Sequence, residues 1–319
     1  MSKIVMVNPF ISEEYKEKVT QLASKYGASV DFFSDNVEAL KSAEDAEIIF
    51  AMSPMLVEKA KNLRWFCSAS AGIDHLASSG VFDGRDILLT NSSGTFGLTI
   101  AEHIIMVTLM MMRRYPEYEK HIQNKEWLGG LEQRSIFGSK FLVLGTGDLG
   151  MNFAKRVRSM EPASVIGVSR SGAQVDGFDQ VYPISQLDSL LGDIDVLVMC
   201  LPGTAETIGI LSKERIALLP EKAFVVNVGR GSAIDEAALM AALEQEKIAG
   251  AALDVLTEEP LPANSPLWDV KNLLITPHIS GQNTLEWTRN RNIEMFCEDI
   301  ANYFEGRPLT YTADIKAGY

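Results

Sequence analysis

Cysteine is scarce in this chain, with three among 319 residues, and Cys67, Cys200 and Cys297 lie far apart in apolar surroundings. An odd, dispersed set excludes a disulfide framework and a zinc-finger spacing, and fits buried thiols in a reducing compartment. Histidine is nearly as rare, at four residues, and none has the His and carboxylate spacing of a metal site, so no metal is expected. Basic residues are outnumbered, 29 against 42 acidic, and the formal net charge of -13 disfavours nonspecific binding to nucleic acid. Long apolar runs are missing too. The longest, Ile104 to Met112, is too short to span a bilayer. The opening MSKIVMVNPFISEEYK passes from a short apolar run straight into acidic residues, without the apolar region and cleavage site of a signal peptide. A soluble cytoplasmic protein that binds neither nucleic acid nor membrane is the expectation.

What remains is ordinary globular composition on a chain long enough for two domains. The first 140 residues alternate strand and helix, with strands expected at 4–7, 29–33, 48–51, 65–68 and 87–90. The turn-rich loop Asn91-Ser92-Ser93-Gly94-Thr95-Phe96-Gly97 leads to a long helix over 98–113 and reads as a domain crossing. That helix is apolar on nearly every side and must be buried all round, either inside its own domain or in a subunit interface. A second alternating series follows, with strands at 141–144, 164–168, 195–199, 223–228, 249–253 and 273–276. Its helices are expected at 149–160, 186–191, 212–218 and 235–245, with a closing helix over about 283–304. The pattern implies an α/β fold with a parallel, doubly wound sheet covered on both faces.

Between the first strand and helix of that series stands GTGDLG, residues Gly145, Thr146, Gly147, Asp148, Leu149 and Gly150. The order strand, glycine turn, helix is what a dinucleotide site requires. Gly145 permits the tight turn, Gly147 lets backbone approach a pyrophosphate, and Gly150 lets helix and strand pack closely while the helix N-terminus faces the negative charge.

In such a sheet ligands sit beyond the carboxyl ends of the strands. Three polar residues fall there: Arg230 between Gly229 and Gly231, Glu259 in the loop after the 249–253 strand, and His278 after the 273–276 strand. Taken singly they read as a surface charge, a solvated loop and a structural imidazole. Taken together they supply a planar fork for a carboxylate, a partner for imidazole, and an acid or base with a reference pKa of about 6.5. The glycines are expected to leave the Arg230 backbone free to bend. Asp254 ends a strand at the same edge, where it either accepts hydrogen bonds from a nicotinamide carboxamide, the favoured role, or caps the following loop. His75, His103 and His121 lack a second chemical group at suggestive spacing and read as structural.

These residues resemble the D-isomer-specific 2-hydroxyacid dehydrogenases, along nearly the whole chain. The resemblance rests on Ser70-Ala71-Gly72-Ile73-Asp74, Ala101-Glu102-His103, GTGDLG and Cys200-Leu201-Pro202-Gly203-Thr204. It rests also on Asn227-Val228-Gly229-Arg230-Gly231, Ala252-Leu253-Asp254-Val255 through Glu259-Pro260-Leu261-Pro262, and Thr276-Pro277-His278. It implies a flavodoxin-like substrate domain from 1–97 and 285–319 around a Rossmann cofactor domain from 98–284, an active site in the cleft, and a homodimer built on the long helix. It further implies Arg230 as anchor of carboxylate and carbonyl, Glu259 as partner of the imidazole, and His278 as proton donor. The amides of Ala71 and Gly72 would meet the substrate carboxylate, Val228 and Gly229 would line the cofactor pocket, and Leu201 and Pro202 would lie near the adenosine. The reaction so implied is reduction of a small 2-oxoacid to a D-2-hydroxyacid. Trp287 and Phe96 either line the cleft or fill the core.

A nicotinamide-sensing interaction protein on the same fold, similar to corepressors of this superfamily, is the main rival, and the missing long disordered or Pro-rich extension counts against it. Glu259 counts against a formate dehydrogenase, where a glutamine pairs with the histidine. The end at Tyr319 leaves no room for the regulatory module of some phosphoglycerate dehydrogenases. Cofactor choice turns on Ser169-Arg170-Ser171, after the second strand of the series, with Arg170 standing 20 residues past Gly150. The acid that would hold the ribose of NAD is missing there, and a base and two hydroxyls suited to a 2′-phosphate are present, so NADP(H) is the expected preference, with NAD(H) as the second cofactor.

Overall fold

Five short apolar runs pair in parallel to make the first sheet. In the computed structural model, which describes residues 2–315, these are β1 (Lys3–Val7), β2 (Ser29–Phe33), β3 (Ile48–Ala51), β4 (Trp65–Ser68) and β5 (Leu88–Thr90), in the order β2-β1-β3-β4-β5. This is the flavodoxin-like order. All four residues of β3 and of β4 are buried, because helices cover both faces of a parallel sheet and neither set of alternating side chains reaches water. One face packs Ile49, Phe66 and Leu56; the other packs Ile4, Phe50 and Trp65 against the closing helix Glu286–Phe304. There Phe296 lies 5.0 Å from the ring of Phe50 and 5.2 Å from that of Trp65. The closing helix starts three residues later than the sequence suggests, since Leu285 is extended. Residues up to Phe96 and those from Asn283 form one compact unit, and Gly97–Gln282 form another. Of the expected 285–319 segment, 316–319 lie outside the described residues.

The second unit carries β6 (Lys140–Leu144), β7 (Ser164–Ser169), β8 (Gln180–Pro183), β9 (Val196–Met199), β10 (Phe224–Asn227), β11 (Gly250–Leu253) and β12 (Leu273–Ile275). They pair in the parallel order β12-β11-β10-β9-β6-β7-β8. The order reverses between β6 and β9, which is the switch point where a doubly wound sheet opens a crevice. β8 lies outside the strands that the sequence pattern predicts. It is an edge strand with only Val181 buried and a proline at its end, so it lacks the apolar run that marks the others.

The helix Asp148–Val157 buries Gly150, Phe153, Ala154 and Val157, one face at the 3.6-residue period. Phe153 meets Phe141 of β6 at 5.6 Å, and Phe153→Ala would cost about 3–5 kcal/mol. The long helix Gly97–Met112 buries Ile100, Ala101, His103, Ile104, Val107, Thr108, Met111 and Met112 within this unit but leaves Met106 exposed. A polar helix, Tyr115–Gln123, follows it with no buried residue. Among the described residues no helix is long and apolar enough to cross a membrane.

Candidate active site

The glycine loop begins where β6 ends. Gly145 turns at φ +96°, and a Cβ on it would lie 2.8 Å from the Cys200 carbonyl, so both the turn and the neighbouring strand end demand glycine. A Cβ on Gly150 would stand 1.9 Å from the Gly145 carbonyl oxygen. Gly147 differs: a Cβ there meets nothing within 4 Å, so its surface is open to an approaching ligand. Gly147 is also the N-cap of Asp148–Val157 and supplies no side-chain cap, which leaves the helix dipole and first-turn amides for an anion. These features fit a dinucleotide pyrophosphate. The Asp148 carboxylate accepts from Asn152 Nδ2 at 2.8 Å, and Thr146 packs its methyl where a Cβ on Gly167 would reach it. Leu149 is half-buried in the same first turn.

Across the switch point, β9 runs into Cys200, Leu201 and Pro202, a turn tied by Thr207 Oγ1 donating to the Pro202 carbonyl at 2.6 Å. A Cβ on Gly229 would lie 2.5 Å from Leu201 O. A Cβ on Gly231 would fall 1.9 Å from the carbonyl carbon of Leu256. Neither glycine has a positive φ. They flank Arg230 because neighbouring loops leave no space for a side chain, which corrects the expectation of a freely bending backbone. The turn is set instead by Asn227, whose Oδ1 accepts from the Gly229 amide at 3.0 Å and whose Nδ2 donates to the Arg230 carbonyl at 2.9 Å. Val228 is buried beside it. Arg230 Nη1 donates to the Gly229 carbonyl at 2.8 Å.

Glu259 and His278, 19 residues apart in sequence, are brought together. Nδ1 of His278 lies 2.6 Å from Oε2 of Glu259. The other glutamate oxygen accepts from the Leu256 amide at 2.8 Å, which fixes the carboxylate before it meets the ring. Nδ1 is thereby committed to Glu259, which leaves Nε2 as the other ring nitrogen of a half-exposed imidazole.

His278 sits at φ +51°, a strained region for a side-chain-bearing residue, and Asp254 holds it there. The His278 amide donates to the Asp254 backbone carbonyl at 2.9 Å. Oδ1 of Asp254 accepts from the Thr276 hydroxyl at 2.6 Å and the Ile279 amide at 3.0 Å, and Oδ2 accepts from the Ser280 amide at 3.0 Å. Of the two roles open to Asp254 in the sequence, the structure displays the capping one. Burial would push its carboxyl up, but the hydrogen bonds from Ser280, Thr276 and Ile279 outweigh this and hold it below the usual range. Thr276 Oγ1 is also 3.2 Å from Nε2 of His103. Burial lowers the His103 imidazole, and Asp254 only partly offsets that. Sequence reasoning missed Asn227, Thr276 and Ser280; the Asn and Thr stand inside the quoted motifs, but nothing local told their hydrogen bonds.

After β7, Ser169 Oγ accepts from the Gly172 amide at 3.1 Å and Ser171 Oγ from the Ala173 amide at 3.3 Å, so each hydroxyl keeps its hydrogen to donate. Arg170 stands exposed between them. Ala71 and Gly72 belong to the other unit, in the loop after β4. His75 Nε2 is 2.8 Å from the Met52 carbonyl and His121 pairs with Glu126, in keeping with structural roles. Phe96 is buried and Trp287 exposed. Cys67, Cys200 and Cys297 are free thiols.

Residues 105–280 match the family described as D-isomer specific 2-hydroxyacid dehydrogenase, NAD binding domain. A solved D-isomer specific 2-hydroxyacid dehydrogenase family protein from Aeromonas salmonicida is similar at 33% identity and a TM-score of 0.86, over 98% of this chain and 99% of that one. The NADPH-dependent glyoxylate/hydroxypyruvate reductase of Sinorhizobium meliloti, solved with NADP and sulfate, is similar at 28% identity and a TM-score of 0.84 over 100% of both chains. Glyoxylate/hydroxypyruvate reductase A of Salmonella newport is 29% identical over 83% of this chain and 85% of its own.

Proposed function

The chain belongs to the D-isomer specific 2-hydroxyacid dehydrogenase family, and from that premise we propose that it reduces small 2-oxoacids of the glyoxylate and hydroxypyruvate type to D-2-hydroxyacids, with NADPH preferred over NADH. The similar reductases from Sinorhizobium meliloti and Salmonella newport support the substrate class. The observation that carries the chemistry is the 2.6 Å pair of His278 and Glu259 at the carboxyl edge of the sheet that also bears Arg230 and the glycine loop.

When bound, the nicotinamide supplies a hydride for the substrate C2. His278, protonated and held at Nδ1, gives the proton on Nε2 to the carbonyl oxygen, while Glu259 stabilises the imidazolium that precedes the transfer. Arg230 donates to the carboxylate and carbonyl, and its attraction grows as negative charge develops on oxygen, so it stabilises the transition state more than the substrate. The amides of Ala71 and Gly72 take the carboxylate. Asp254 keeps the His278 turn in place. Ser169, Arg170 and Ser171 receive the 2′-phosphate.

A second copy of the chain covers the apolar residues that the Gly97–Met112 helix and its neighbourhood leave bare. Met106, Ile122 and Leu128 are exposed, and Trp127 is fully so. Free thiols accord with a reducing compartment.

The test is steady-state oxidation of NADPH and NADH by a panel of 2-oxoacids. Turnover with glyoxylate or hydroxypyruvate is expected. No oxidation of either cofactor by any of them would overturn the reading.

A further inference from the structure

A planar trans peptide points its C=O and the following N–H in opposite directions, so whatever grips one aims the other. In the loop after β4, successive carbonyls are gripped from the protein interior. Asn292 Nδ2, on the closing helix, donates to the Ala69 carbonyl at 3.0 Å. The Ser92 amide donates to the Ser70 carbonyl at 3.1 Å, and Asn91 Nδ2 donates to the Ala71 carbonyl at 2.9 Å. Ser92 Oγ lies 2.8 Å from the Ser68 carbonyl and 2.6 Å from Oδ1 of Asn292, its single hydrogen serving the two. Asn91, Ser92 and Asn292 are all buried.

Holding the Ser70 carbonyl inward turns the Ala71 N–H outward, and holding the Ala71 carbonyl inward does the same for Gly72. Among the described residues those two amides have no hydrogen-bond partner. Buried side-chain amides are costly unless paired, and here the pairing fixes a loop rather than an element of secondary structure.

We infer that Asn91 is a positioning residue for the substrate carboxylate, aiming the Gly72 amide through its bond to the Ala71 carbonyl, with Asn292 supporting it through Ala69 and Ser92. This rests on the reading that the 71–72 amides meet a carboxylate. Neither asparagine touches substrate in this arrangement; each acts through the loop backbone. Asn91 Oδ1 separately accepts from the Ser93 amide at 3.1 Å, so Asn91→Asp keeps that acceptor, loses the donor and adds a negative charge, while Asn91→Ala loses the donor without adding charge.

The experiment compares wild type with Asn91→Asp, Asn91→Ala and Asn292→Ala, using glyoxylate and hydroxypyruvate as substrates and oxalate as a carboxylate inhibitor. Both Asn91 variants should raise KM and the oxalate Ki about tenfold, with Asn292→Ala smaller in the same direction. The NADPH Kd should stay unchanged and kcat should stay within about threefold. A rise in the Asp variant alone would assign the effect to charge and overturn the proposal. So would a lower melting temperature and kcat at constant KM, the mark of a merely structural role. If the Asn91 variants fail to fold, an unchanged KM in Asn292→Ala overturns it. A wild type inert towards every 2-oxoacid overturns the parent reading and the proposal with it, whereas an active wild type with insensitive variants overturns the proposal alone.

Discussion

His278 Nδ1 and Glu259 Oε2 stand 2.6 Å apart, and the second glutamate oxygen is tied to the Leu256 amide. The ring therefore has one orientation and one nitrogen to offer. His278→Ala should lower kcat by about 10²–10⁴-fold, the usual worth of a positioned acid, while the NADPH Kd from fluorescence titration stays near wild type. Near-normal turnover would remove His278 from the chemistry.

Arg230 presents a planar fork from a turn fixed by Asn227 and by the two glycines packed against Leu201 and Leu256. Arg230→Lys keeps the charge but replaces two parallel donors by one compact ammonium. We expect kcat/KM for glyoxylate to fall at least about a hundredfold, two parallel charge-assisted bonds being lost. Full activity in the lysine variant would reduce Arg230 to a source of charge.

The hydroxyls of Ser169 and Ser171 accept from backbone amides and retain a hydrogen each, with Arg170 between them. The wild type should prefer NADPH, and Arg170→Asp should reverse the ratio of catalytic efficiencies, since a carboxylate repels the 2′-phosphate and accepts from the ribose hydroxyls. A wild type that prefers NADH, or a ratio indifferent to the substitution, would count against the assignment.

Because burial lowers the His103 imidazole, the folded chain resists protonating it while the unfolded chain, at a reference value of about 6.5, does not. Its contribution to stability is complete above that unfolded value and is lost as pH falls towards the lower folded one. The depressed Asp254 carboxyl loses its contribution only below the unfolded carboxylate value of about 3.8–3.9. Between pH 7 and 5 the melting temperature of wild type should therefore drop by more than that of His103→Gln, which bonds Thr276 without titrating. Parallel pH profiles would show that His103 is not the titrating group.

A second copy covering Trp127 predicts a dimer mass by light scattering and a blue-shifted Trp127 emission. Trp127→Glu should give monomers at micromolar concentration, as a buried, unpaired charge opposes association. A monomeric wild type would dispose of the interface.

Much of this was legible in the chain because parallel strands buried on both faces are short unbroken apolar runs, as Ile48–Ala51 and Val196–Met199 are. Gln180–Pro183 buries a single residue at an edge, and Tyr115–Gln123 buries none, so neither has a pattern to detect. At the site, Arg230, Glu259 and His278 announce themselves by chemical type at strand ends. The hydrogen bond between His103 and Thr276 spans 173 residues of sequence, and that between Asn292 and Ala69 spans 223, distances at which no local spacing carries information.

The closing helix has a consequence for synthesis. The face of the first sheet formed by Ile4, Met6, Ile48, Phe50 and Trp65 is completed by Phe296 and Ile300, which follow roughly 190 residues of the other unit. At a translation rate of about 5–20 residues per second, that apolar face waits roughly 10–40 s for its cover. Over that interval the nascent chain offers a ready binding surface to chaperones, and a ribosome stalled within the second unit would leave it bare.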